Sequence, residues 1–129
     1  MNSEEIELTC IICPIGCSLK VYRFGNSIDV KGALCQRGID YARQEVLDPR
    51  RIVMSVIKVK NGDLPVVSIK TSIPISKKCI SEVMKLTASI EVEAPIEIGK
   101  IIIRDICGAD IIATRRVNKV LDLKRIDLY

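Results

Sequence analysis

Histidine is absent from this 129-residue chain. Its absence removes Ser-His-Asp and Cys-His catalysis, His-ligated zinc, haem-His ligation and Rieske-type clusters together. Any metal site must be built from thiolates, carboxylates or backbone groups. Tryptophan is also missing, Phe24 is the one phenylalanine, and aromatic residues make up only 3% of the chain. A core must therefore rest on Ile, Val and Leu, which favours β-rich structure. With few aromatic stacking platforms and no dense Lys/Arg run, a nucleic-acid partner is not expected. No apolar run approaches the ~20 residues of a membrane-spanning helix, so no membrane insertion is expected. The opening stretch MNSEEIELTC lacks the basic-then-apolar order of a secretory signal. A cytoplasmic address is the expectation, and there ordinary thiols are held reduced.

What the chain does contain is adequate for a packed fold. Apolar residues are 48% and charged residues 28%, enough for a core and too apolar for wholesale disorder. The net charge of +4 is spread along the sequence rather than blocked, as a solvated surface would have it. The length fits one ordinary domain, or a small module fused to a larger one.

Six cysteines stand out against this background, and three of them fall within the eight residues CIICPIGC, Cys10 to Cys17. Cys35 supplies a fourth. The set Cys10, Cys13, Cys17 and Cys35 has spacers of two, three and seventeen residues. Structural zinc sites prefer two separated C-x2-C knuckles. Three close thiolates plus one distant thiolate suit an iron–sulfur cubane better, with one wrapped loop holding three corners. Pro14 restricts the loop and Gly16 permits a left-handed bend, so the remaining N–H groups can face cluster sulfides. Lys20, Lys31 and Arg37 are close enough in sequence to offset the negative charge of such a cluster, although simple surface solvation would also account for them.

The chain divides into a cysteine-rich segment, 1–50, and a segment 51–129. In the first, SLKVYR and SIDVKG read as a strand pair across FGN. RGIDYARQEVL then reads as a helix, with Ile39, Ala42 and Val46 near one face and Arg43 beside them, stopped by Pro49. In the second, Ile57 and Val59 alternate with Lys58 and Lys60 ahead of the turn signal NGD. Ile80, Val83, Met84 and Thr87 predict a helix over about 77–88, with a possible cap at Ser76. SIEVEAPIEIG and KIIIRDICGADIIATRRV return to strand chemistry, with CGAD as a hairpin turn. The tail NKVLDLKRIDLY fits a short helix or a strand. The expected class is α+β: a small metal or cluster module, then a mainly antiparallel sheet with one or two helices, whose Ile/Val-rich face would dock a partner subunit or pack its own core. Cys79 and Cys107 are expected to serve as small core residues.

The N-terminal motif, CIICPIGC followed by KGALCQRG, resembles the [4Fe-4S] domain of molybdopterin-dependent oxidoreductases such as formate dehydrogenases. Cys35-Gln36-Arg37-Gly38 matches the setting of the distant cysteine in those enzymes, and DPRRI is similar to the segment that closes their domain. The resemblance covers about the first 52 residues. The gap before Cys35 is shorter than is usual there, which leaves cluster against zinc open. A pterin is excluded on size. Over nearly the whole chain, CIICPIGC, CQRG, IPISK and VEAPIEIGKIIIRDICG resemble an uncharacterised bacterial family of small proteins with paired-cysteine motifs. That resemblance implies an accessory redox role beside flavin-dependent dehydrogenases similar to anaerobic glycerol-3-phosphate dehydrogenase.

Three functions of different class follow. The first is an electron-transfer subunit with a [4Fe-4S] cluster on Cys10, Cys13, Cys17 and Cys35, serving a flavin-dependent dehydrogenase. The second is a zinc-stabilised interaction module on the same four residues, or a nucleic-acid-binding one should the basic residues form a face. The third is a thiol redox protein using Cys10 and Cys13, although that chemistry favours a helix directly after the pair and strands are expected here. No catalytic signature is found in 51–129.

Overall fold

The computed structural model describes residues 3–120 and falls into two compact units, Met1–Arg50 and Arg51–Tyr129. The described residues make an α+β protein of mostly strands, with two α-helices among them.

In the first unit, strands β1 (Glu4–Thr9), β2 (Ser18–Phe24) and β3 (Ser27–Lys31) form an antiparallel sheet in that order. The β2–β3 hairpin closes with Phe24 opposite Ser27 across Gly25 and Asn26, as the FGN signal leads one to expect. Period-2 alternation sends Leu19 and Val21 inward, both fully buried. Ile6 and Leu8 of β1 join them, with Ile6 opposite Val21 and Leu8 opposite Leu19. On the outer face Lys20 bridges Glu5 and Glu7 at 3.5 and 3.4 Å. In the sequence the carboxylates of EEIELT mask its alternation. Cross-strand pairing with Lys20 turns those charges into a partner-matched face.

Helix α1 (Gln36–Leu47) covers the inner face through Gly38, Tyr41, Ala42 and Val46. Arg43 is exposed, contrary to its expected place beside the apolar stripe. The helix stops at Leu47 because Pro49 cannot continue it and disfavours helical backbone at Asp48.

A two-residue strand, β4 (Arg50–Arg51), marks the boundary. The second unit is built on a five-stranded sheet. Its strands are β5 (Met54–Lys60), β6 (Val66–Thr71), β8 (Glu91–Glu93), β9 (Ile101–Ile106) and β10 (Ala109–Ala113), in the order β8-β5-β6-β10-β9. The short β7 (Ile75–Ser76) leads into a 3₁₀ turn (Lys77–Cys79) and then α2 (Ile80–Ser89). Pairing is antiparallel except between β5 and β8, which run parallel. A parallel pair needs a crossover, and α2, packed on β5, lies within it.

Val83 and Thr87 of α2 are buried, while Met84 is 43% exposed. Ile57 and Val59 point inward and Lys58 and Lys60 outward. Asn61–Pro65 form a longer connection than a two-residue hairpin. Asp63 is held there by Asn118, whose backbone and side-chain N–H groups donate to its carboxylate at 2.9 and 3.0 Å. Buried Thr71 is satisfied by Val53, whose N–H donates to Thr71 Oγ1 at 3.0 Å. Ile106 pairs with Ala109 across Cys107-Gly108. Both turn residues have positive φ, 51° and 79°, the requirement of a type I′ hairpin. Of the tail, residues 121–129 lie outside the described residues, so the helix-or-strand reading there is not addressed.

Candidate functional site

The loop between β1 and β2 carries three of the four predicted ligands. Its ends are tied by the hydrogen bond from the Cys10 N–H to the Cys17 carbonyl at 2.8 Å. Cys10 and Cys17 therefore face each other just beyond the Thr9–Ser18 pair. Cys13 lies within the loop, which bends through Pro14 and through Gly16 at φ +64°. The expectation for Gly16 is met: a left-handed turn that an L-side chain would resist.

Gly32 brings the fourth cysteine back. Leaving β3 at φ +87°, it passes so close to the start of β2 that a β-carbon would sit 2.2 Å from the Ser18 carbonyl oxygen. Only glycine fits this crossing. Ala33 and Leu34 follow, and Cys35 becomes the N-cap of α1. A β-carbon on Gly38, in the first turn, would lie 3.7 Å from Cys10 Sγ. Cys10 thus packs directly against the start of the helix that Cys35 caps.

The four thiols differ in environment. Cys10 is buried, Cys13 and Cys17 are half-buried, and Cys35 is exposed. The Cys35 side chain makes no full capping hydrogen bond. The nearby Gly38 N–H, and then Arg37 through its backbone, side chain and charge, nonetheless hold the Cys35 thiol below the ordinary thiol range against the opposing effect of desolvation. Of the three cations expected to offset a cluster, Arg37 alone acts on a cysteine in this way. Lys20 is engaged by Glu5 and Glu7, and Lys31 by Asp29 at 3.3 Å. Pleating aims both lysines at carboxylates, Lys20 across to β1 and Lys31 along its own strand, which sequence proximity to the cysteines does not reveal.

Tetrahedral zinc at ~2.3 Å from each sulfur needs sulfurs about 3.8 Å apart. Among the described residues, no three of Cys10, Cys13, Cys17 and Cys35 have sulfurs within 4.8 Å of one another. A cubane spreads its ligands further, because four irons stand between them. The loop and the connection from β3 to α1 are also unusually apolar for their exposure. Ile11 and Ile15 are each 69% exposed and Leu34 is 76% exposed. Ile12 joins Arg37, Asp40, Tyr41 and Gln44 in lining an open cleft of about 420 Å³ beside α1.

In the second unit, Cys79 and Cys107 are joined in a disulfide, with Cα atoms 6.3 Å apart. Both pack against the core, half-buried, as small hydrophobes would. The bond corrects the expectation of two separate core thiols. No local signal could have found it, since 28 residues separate the pair. Glu82 reaches the same point, Oε2 lying 3.5 Å from Cys107 Sγ. Glu91 and Glu93 flank half-buried Val92 as an exposed strand face, whereas Glu97 lies beyond β8.

Among the described residues, no helix is long and apolar enough to cross a membrane. No curated protein matches the chain. A solved structure that does is the NMR structure of Clostridium perfringens protein CPE0013, a structural genomics target, at 23% identity and a TM-score of 0.52. The match covers 62% of this chain and 96% of that one, and it is a likeness of fold. A family model described as protein of unknown function (DUF1667) matches residues 36–115. The matched span starts directly after Cys35, takes in α1 and the second-unit sheet, and leaves the CIICPIGC loop outside it. Covering more than half of the sequence, that match makes the chain a member of the DUF1667 family.

Proposed function

We propose that this protein is an iron–sulfur electron-transfer subunit, with Cys10, Cys13, Cys17 and Cys35 as the ligands of a [4Fe-4S] cluster. The observation that carries the reading is the joint delivery of these residues to one end of a three-stranded sheet. The Cys10–Cys17 backbone bond, the Gly32 crossing and the approach of Cys10 Sγ to the start of α1 all serve it. Three close thiolates on one wrapped loop plus one distant thiolate suit a cubane better than the paired knuckles of structural zinc. The likeness of CIICPIGC and CQRG to the cluster domain of molybdopterin-dependent oxidoreductases supports the same ligand set.

Such a cluster, when bound, supplies one-electron transfer. The chain's own contribution is to hold the four thiolates, to present Arg37 and the first N–H groups of α1 at Cys35, and to bury Cys10. Exposed Ile11, Ile15 and Leu34 beside the ligands offer an apolar contact close to the electron path, which suits a short transfer distance to a partner. We assign that partner to the flavin-dependent dehydrogenases similar to anaerobic glycerol-3-phosphate dehydrogenase, on the strength of the whole-chain family resemblance.

The test is iron and sulfide analysis of anaerobically purified protein, with absorption spectra before and after dithionite. About four irons and four sulfides per chain, with a visible band that bleaches on reduction, are expected. One zinc in a colourless solution would move the protein to the structural-module class. Bleaching by a substrate-reduced flavoprotein of the glycerol-3-phosphate dehydrogenase type tests the partner.

A further inference from the structure

We infer that Cys79, Glu82 and Cys107 form a second site, a redox-gated binding site for a divalent cation of the zinc class. It is closed while the two cysteines are joined and opens when the disulfide is reduced. The ligand atoms of these three residues lie within 4.8 Å of one another; the bonded sulfurs stand closer than the roughly 3.8 Å of a tetrahedral zinc thiolate, so breaking the bond lets them part to that spacing.

Two elements bring the ligands together. Cys79 is the N-cap of the ten-residue α2 and Glu82 lies in its first turn, a three-residue spacing that puts both on one face. Cys107 arrives from the β9–β10 turn. Its φ of +51° belongs to a turn position that ordinarily takes Asn, Asp or Gly, so nothing in the turn's own geometry calls for cysteine.

The donor chemistry matches the cation. Two thiolates and one carboxylate are a borderline-soft set suited to zinc. They carry three negative charges, so the loaded site keeps a net charge of −1, which the positive end of α2 favours. With Glu82 exposed and both sulfurs half-buried, solvent can supply the fourth ligand. The 3.5 Å contact between Cys107 Sγ and Glu82 Oε2 has no proton to share in the disulfide, but becomes a thiol–carboxylate contact on reduction.

The redox step balances with a dithiol reductant. The Cys79–Cys107 bond breaks and two thiols form, while the reductant's two thiols become its own disulfide. Zinc then displaces the two thiol protons to solvent.

The test is native mass spectrometry of the full chain titrated with zinc, as disulfide-intact protein and after reduction with a phosphine. A Cys107→Gly variant, whose glycine suits the positive φ, and a Glu82→Gln variant are measured in parallel. Reduced wild type is expected to hold one zinc more than the disulfide form and one more than reduced Cys107→Gly. Glu82→Gln is expected to keep that zinc with at least roughly tenfold weaker affinity, the loss of a charged ligand being worth 1.4 kcal/mol or more. Equal zinc numbers in reduced wild type and reduced Cys107→Gly would overturn the site. Cys10, Cys13, Cys17 and Cys35 are unchanged in every sample, so their occupancy cancels from the comparison whatever metal they hold.

Discussion

The two units solve the problem of stability by different means. Among the described residues, the first buries a cluster of only four, Cys10, Leu19, Val21 and Ala42. The second buries fourteen, all of them Val, Ile or Ala, and adds a disulfide. A fifty-residue unit with so small a core is at the size where metals or cross-links usually make up the deficit. Cys10, one of its four core residues, is also a proposed ligand, so under that proposal its packing would depend on metal occupancy. In the larger unit the disulfide supplements a core in which Ile57, Val67, Ile69 and Ile111 pack from neighbouring strands into one continuous layer. Cysteine thus plays opposite parts in the two halves: free thiols gathered at a sheet end in one, a covalent staple in the other.

The contrast can be broken most completely at Cys35. Cys35→Ser is expected to abolish iron loading and to remove hydrogen-exchange protection from β1, β2 and β3, with the second-unit sheet unchanged. Full metal content in that variant would defeat the four-ligand assignment. Cys17→Ser should behave likewise, whereas Cys79→Ser and Cys107→Ser should load iron normally.

Loss of the staple comes next. Opening a loop of 28 residues is expected to lower the stability of the second unit by roughly 3–4 kcal/mol. Denaturant unfolding with and without reductant measures it, and a midpoint indifferent to reductant would count against the bond.

Gly32→Ala sharpens the comparison from the other side. Its β-carbon would meet the Ser18 carbonyl at 2.2 Å in a left-handed backbone, so a destabilisation of about 2 kcal/mol or more is expected in the first unit. Gly25→Ala, with nothing within 4 Å, should cost only the strain of its positive φ. Equal effects of the two would mean that the crossing is not tight.

The smallest effect is a shift in reactivity. With its pKa lowered by the Gly38 N–H and by Arg37, Cys35 in the metal-free protein should reach half-maximal alkylation below the ordinary thiol value of about 8.5. The sign is that of a group depressed in the folded state. Its contribution to stability is present above the unfolded pKa and is lost as pH falls through the folded one. Arg37→Gln should move the alkylation midpoint upward, and an unchanged midpoint would leave the helix start as the sole cause.

Much of the local structure was legible. The β2–β3 hairpin, the helix ending before Pro49, the helix from about 77 and the Cys107-Gly108 turn all announce themselves through periodicity and turn residues. They do so because each is decided by side chains within a few positions of one another. The misreadings share a cause. The β1 strand was hidden because its carboxylates find their partner only across the sheet, at Lys20. The helical spacing sets Arg43 beside the apolar stripe, whereas Gly38, Tyr41, Ala42 and Val46 form that stripe and Arg43 is exposed. Nearness in the chain leaves cluster charge and surface solvation both open for Lys20 and Lys31, and pleating turns them toward Glu5, Glu7 and Asp29.

The ligand set belongs to the same division. By itself the sequence determined that three thiols share one bent loop and that histidine takes no part, since spacing and composition are properties of the chain. Tertiary structure alone decided that Gly32 carries Cys35 back over Ser18 to Cys10, and that a hairpin tip meets the first turn of α2 at Cys79, Glu82 and Cys107. Such meetings depend on which strands pair and in which register. Those choices are settled by the burial of whole sheet faces, a sum over many distant residues that no short stretch contains.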